Sequence, residues 1–203
     1  PRCEIVVQEV KAYNPDRIVL LPLYPQYSST TTGSSFKEWR AAAQSVGLNA
    51  PTSAICCYPQ ERGFVVESAA RIRESLSQAE NAKVGTPRLL FSAHGLPKKF
   101  IDHGDPYQRH VELSAKAIVD ELDIEDLDWR VCYQSRVGRL EWIRPYLEDE
   151  ICVAGEEKRP VVLFPIAFVS EHSETLVELD EEFRDLAAEK GAFPLYDSTK
   201  YLA

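Results

Sequence analysis

Five short, continuous apolar runs, each followed at once by a polar turn marked by Gly or Pro, constrain this chain more than any other feature. The runs are Arg17–Leu21, Ser53–Cys57, Arg88–Ser92, Trp129–Tyr133 and Val161–Ala167. Amphipathic stretches separate them, at Glu4–Tyr13, Ser35–Val46, Phe64–Ala79, Tyr107–Leu122, Leu140–Glu148 and Ser173–Glu189. Strands apolar on both sides are those of a parallel sheet covered by helices on both faces. Strand–helix alternation repeated five times predicts an α/β, doubly wound parallel sheet.

In such a sheet the turns after the strands gather at one edge, where these folds bind ligands. Those turns are LPLYPQYSSTTTGSS (21–35), YPQERG (58–63), SAHGLP (92–97), YQSRVG (133–138) and FVSEHSE (168–174). Their positions place His94, Tyr133 and Glu174 near one crevice. The Ser/Thr run around Thr30–Gly33 reads as a linker, so the first strand is assigned to a preceding domain. The expected organisation is an incomplete amino-terminal domain at 1–33, a carboxyl-terminal domain at 34–190 and an atypical tail at 191–203.

The net charge of −9 excludes a nucleic-acid binder, since there is no basic stripe to neutralise phosphates. No apolar run approaches the roughly 20 residues of a spanning helix, although a peripheral membrane contact remains open. Nothing resembles an export signal, and the expected compartment is the cytoplasm. Cys3, Cys56, Cys57, Cys132 and Cys152 form no CxxC pair, which predicts buried thiols rather than a disulfide framework or zinc site. The chain contains no Met and opens directly on a helical pattern, so it reads as a piece of something longer.

Among residues suited to chemistry, His94 follows an apolar strand and precedes the stiff Gly95–Leu96–Pro97 frame. Histidine moves protons near neutral pH and ligates borderline metals, but a strand-end histidine bonded to backbone is an equal alternative. His103 and His110 flank GDPY, where Asp105 and Pro106 read as a helix cap and first turn. In SEHSETLVELDEEFRD (170–185), Glu174, Glu178 and Glu182 share one helical face, and Leu176, Leu179, Phe183 and Leu186 take the opposite one. Like charges four apart repel by about 0.2–0.5 kcal/mol per pair. The row is either a solvated acidic face or a carboxylate ladder that passes on a divalent cation. Tyr133, Gln134, Ser135 and Trp142 mix polar and aromatic groups and suit a flat hydrophobic ligand, while Trp142 also reads as core. Tyr24 and Tyr27, framed by Pro22 and Pro25, suit an anion or the capping of the next helix.

The segments at 21–35, 91–108 (FSAHGLPKKFIDHGDPYQ), 133–145 (YQSRVGRLEWIRP) and 168–182 (FVSEHSETLVELDEE) closely resemble ferrochelatase signature segments, in the family's order. The resemblance implies a chelatase-like fold of two Rossmann-like domains around a cleft. It implies insertion of Fe²⁺ into protoporphyrin IX, with iron and porphyrin as substrates and no prosthetic group. By resemblance His94 and Glu174 are the facing catalytic and iron-site residues, and Glu178 and Glu182 continue the metal-binding row. Trp142 matches an aromatic that supports the macrocycle, and Tyr133 and Ser135 of the same polar–aromatic turn are expected to bind the ligand beside it. Family members carry an amino-terminal segment before the part matched here. Arg139 stands where Pro is usual, and the tail GAFPLYDSTKYLA matches weakly. No iron–sulfur cluster is expected in this region. A chelatase for another metal such as cobalt, or a non-catalytic tetrapyrrole- or metal-binding fragment, are the competing readings. A serine hydrolase is not indicated, because Ser92 lacks a G-x-S-x-G elbow.

Overall fold

In the computed structural model, residues 2–169, 182–192 and 195–197 are described. The chain divides into two compact units, 1–58 and 59–203. The first holds helix α1 (Cys3–Tyr13), strand β1 (Ile18–Leu20), helix α2 (Ser34–Ser45) and strand β2 (Thr52–Ala54). β1 and β2 pair in parallel, Ile18 against Thr52. The Ser/Thr run is not a linker: it forms a single π-helical turn, Ser29–Gly33, that leads straight into α2. Ser28 begins this turn, its Oγ accepting from the Thr30 N–H at 3.1 Å. The Tyr58 N–H donates to the Pro25 carbonyl, and the Ile55 N–H to Leu20. These bonds keep α2 and β2 with β1 in the first compact unit, which runs to Tyr58.

The second unit contains α3 (Arg62–Asn81), β3 (Arg88–His94), α4 (Lys98–Asp102), α5 (Tyr107–Leu122), β4 (Trp129–Gln134), α6 (Leu147–Glu156), β5 (Val161–Pro165), α7 (Phe183–Lys190) and β6 (Leu195–Asp197). Its four strands run parallel in the order β4-β3-β5-β6. Alternation along each strand sorts the side chains into two layers. Leu89, Phe91, Tyr133, Val162 and Phe164 join the side chains of α3 and α5. Leu90, Cys132, Val161 and Leu163 join those of α6 and α7. The doubly wound expectation therefore holds for this unit, with Phe183 and Leu186 packed as their spacing implied. Gly155 is required where α6 meets the end of α7, because a Cβ there would collide with the Lys190 carbonyl.

In the tail, Leu195 is buried and β6 extends the sheet beside β5. Two expectations need correction. The helix placed at Leu140–Glu148 lies at Leu147–Glu156, because residues 141–143 spend their backbone groups on the turn after β3. The thiols are free, but only Cys132 is buried, while Cys56 is exposed because β2 and the turn after it lie at the surface. Burial pushes the Cys132 thiol up, with Glu150 and Glu148 adding to it.

At the amino-terminal ends of the strands, Arg88 is 4% exposed and bonded to Asp128 and Glu157, each at 2.8 Å. Arg159 reaches the same two carboxylates at 3.0 Å. Burial disfavours the Arg88 charge, yet Asp128 and Glu157 outweigh it and raise its pKa. Arg88→Ala leaves a partly buried Asp128 without this partner and should cost about 3–5 kcal/mol. Glu157→Gln, at a half-exposed site, should cost under about 1 kcal/mol. Urea unfolding of the two variants checks both values.

Candidate active site

β3 carries His94 to the carboxyl edge of the sheet, directly opposite Gln134 of β4. The ladder holds to the last residue: the Gly95 N–H donates to the Gln134 carbonyl at 2.9 Å. The Tyr107 hydroxyl donates to the His94 carbonyl at 3.0 Å, tying the strand end to α5. α5 is in turn capped by Asp105, whose Oδ1 accepts from the Tyr107 N–H at 3.0 Å, as the GDPY spacing implied.

The turns after β3 and β4 then close on each other. The Ile143 N–H donates to Leu96, and the Lys98 N–H to Glu141, so Pro97 and Trp142 face each other as an antiparallel bridge. The Trp142 Nε1–H donates to the Val137 carbonyl at 3.1 Å, pinning the turn after β4. Gly95 has no room for a side chain: a Cβ would lie 2.9 Å from the Gln134 oxygen and 3.2 Å from Trp142 Cε3. The Gly in SAHGLP is thus a close-approach residue, and Trp142, at 8% exposure, packs over it.

Of the residues expected to contact a macrocycle, Tyr133 departs furthest from expectation. Its position on the strand turns it toward α3 and α5, and its ring is 2% exposed within that core. It does not form an open aromatic wall. Its hydroxyl has no hydrogen-bond partner among the described residues, and burial raises its pKa strongly, helped by Glu112, Tyr107 and Cys132. Ser135 is half-buried with φ 64°, a left-handed residue that turns the chain sharply as β4 ends. The Tyr146 ring, bridged to Tyr133 through backbone, takes the Arg136 and Arg144 guanidinium groups at 4.3 and 4.4 Å.

Glu174 and Glu178 lie outside the described residues, as does His172. Glu182 is exposed at the start of α7. Among the described residues no three His, Cys, Asp or Glu side chains are grouped to hold a metal ion. His103 is exposed, with Nδ1 at 2.5 Å from the Lys99 carbonyl, and His110 is half-buried on α5. Burial lowers the His110 pKa, with Arg109 acting in the same sense and Asp105 against it.

From sequence, Gln134 stands out only as part of the polar rim of the turn after β4, and Ser92 not as a site residue at all. Ser92 is wholly buried and donates its hydroxyl to Gln134 Oε1, and Gln134 is 1% exposed. A lone polar residue inside the apolar run RLLFSA was the available signal.

A family model described as Ferrochelatase matches residues 1–199. The chain belongs to the ferrochelatase family. It is 49% identical to the ferrochelatase of Rickettsia bellii (strain OSU 85-389) over 187 residues, 92% of this chain and 50% of that protein. It is 49% identical to that of Pelagibacter ubique over 191 residues (94% and 54%), and 51% identical to that of Caulobacter vibrioides (strain NA1000 / CB15N) over 197 residues (96% and 54%). The chain therefore spans about half the length of the curated relatives it matches. The solved structure of SirB from Bacillus subtilis with Fe³⁺ superposes with a TM-score of 0.63 at 12% identity, covering 100% of this chain and 71% of that one. At that identity the likeness speaks for the chelatase-like, Rossmann-like fold alone. No helix among the described residues is long and apolar enough to cross a membrane.

Gly95→Ala should push Trp142 off its seat and lower stability by about 1–3 kcal/mol. A shift in tryptophan emission together with a lower urea midpoint checks it; wild-type values for both would contradict the packing described.

Proposed function

We propose that this chain carries the metal-inserting half of a ferrochelatase, placing Fe²⁺ in protoporphyrin IX to give protohaem. The observation that carries the reading is His94 at the carboxyl end of a central strand, its backbone fixed by Tyr107 and by the bonded turns after β3 and β4. Family membership supports it.

Free-base porphyrin holds two N–H protons in its plane and offers its lone pairs poorly. Puckering the ring exposes those lone pairs, with the strain drawn from binding contacts elsewhere on the macrocycle. Insertion then releases two protons and needs iron stripped of water. In this reading His94 accepts pyrrole protons, and Glu174 with Glu178 and Glu182 holds and delivers iron or relays protons outward. Trp142, braced on Gly95, supports the macrocycle, and Ser135 contacts its polar rim. Tyr133 supports that surface from within the core rather than touching the ring. The working compartment is the cytoplasm.

His94→Ala should lower metallation of protoporphyrin at least about 100-fold, while porphyrin binding, followed by fluorescence quenching, stays within about threefold. Near-normal turnover by this variant would overturn the assignment. Paired assays with Fe²⁺ or Co²⁺, and protoporphyrin or sirohydrochlorin, separate a ferrochelatase from a chelatase of other specificity. Glu178→Gln with Glu182→Gln should raise the iron concentration needed for half-maximal rate by about tenfold or more. An unchanged iron dependence would count against the ladder.

A further inference from the structure

The polar pair beneath the strand end has no part in the reaction as outlined. Ser92, Gln134 and His94 lie on one sheet face: Leu90 and Cys132 share it by alternation, and Ser92 bonds to Gln134 across the strands. Gln134 is also His94's register partner. With Oε1 taken by the Ser92 hydroxyl, the amide's Nε2 remains buried and without a hydrogen-bond partner among the described residues. Buried amide donors are almost always satisfied by protein or by ordered water, and leaving one unmet carries a desolvation cost. A Leu or Met would fill this position in an otherwise apolar layer without that cost. The donor therefore has a use at this strand end, where the neighbouring side chain in register is the imidazole.

We infer that Gln134 is a positioning residue for His94, donating from Nε2 through one buried water to an imidazole nitrogen, with Ser92 fixing which end of the amide faces the ring. A donor aimed at one ring nitrogen makes that nitrogen the acceptor and leaves the proton on the other. The pair thus selects one tautomer and one ring orientation of His94. This is the support that residues behind a metal- or proton-handling histidine supply elsewhere, where its loss costs about 10–100-fold in activity or metal affinity. The consequence for rate rests on the chelatase reading above; the consequence for the imidazole does not.

Gln134→Met keeps the length and volume of the side chain and removes the donor, and Ser92→Ala keeps the donor and removes its lock. The test compares imidazole ¹⁵N spectra of the 203-residue chain and both variants at one fixed, mildly alkaline pH. The His94 signals are assigned by their loss in His94→Ala. One dominant tautomer is expected in the wild-type chain, a mixture in Gln134→Met and a partial change in Ser92→Ala. In the metallation assay, Gln134→Met should lower kcat by about 10–100-fold with the KM for protoporphyrin within about twofold. Cooperatively folded Gln134→Met with wild-type His94 signals overturns the inference, and so does a loss confined to KM. A wild-type chain that binds porphyrin but inserts no iron sinks the functional proposal instead, and the ¹⁵N comparison still decides the role of Gln134.

Discussion

Everything at the crevice depends on the parallel pairing of β3 with β4 continuing, without slip or bulge, to its last residue. That register sets His94 beside Gln134, and the Gly95 N–H on the Gln134 carbonyl then aims both following turns at each other. A one-residue slip of β4 would carry Tyr133 out of the α3–α5 layer to the opposite face and take Gln134 away from Ser92. The register is enforced by layers of unequal character. One face is apolar around Phe91 and Phe164, while the other carries the Ser92–Gln134 pair, which only this alignment satisfies.

Much of this was visible in the chain itself. Continuous apolar runs such as RLLFS predicted the central strands, and GDPY predicted the start of α5, because both signals are local. The position of α6 was not visible. The stretch at 140–148 looks amphipathic, yet its backbone groups are claimed by residues 96–98, which are distant in sequence. β6 escaped for a similar reason: three residues carry little pattern of their own, and Leu195 becomes a strand residue only by lying beside β5. The turn at 29–33 was not legible, because Ser and Thr serve linkers and helix starts alike, and here Ser28 caps a π-helical turn.

The site was legible in kind more than in geometry. The Gly–Pro frame singles out His94, which the structure sets at the end of a central strand, and Trp142 is a nearly buried ring packed on Gly95. The burial of Tyr133 was not legible, because membership of a polar turn motif says nothing about which face a strand's last residues occupy. Gln134 was legible only as a polar group of the turn, because glutamine is ordinarily a surface residue, and its burial is what makes it unusual.

The Arg88 cluster lies at the end of the strands opposite His94. A sheet clamped at one end leaves its other end open to revision. Turns at the crevice can trade residues, lengthen or change their chemistry without loosening the ionic knot that holds the strand starts. A lineage could thus alter what this crevice binds through many small steps while its folding stability stays nearly level.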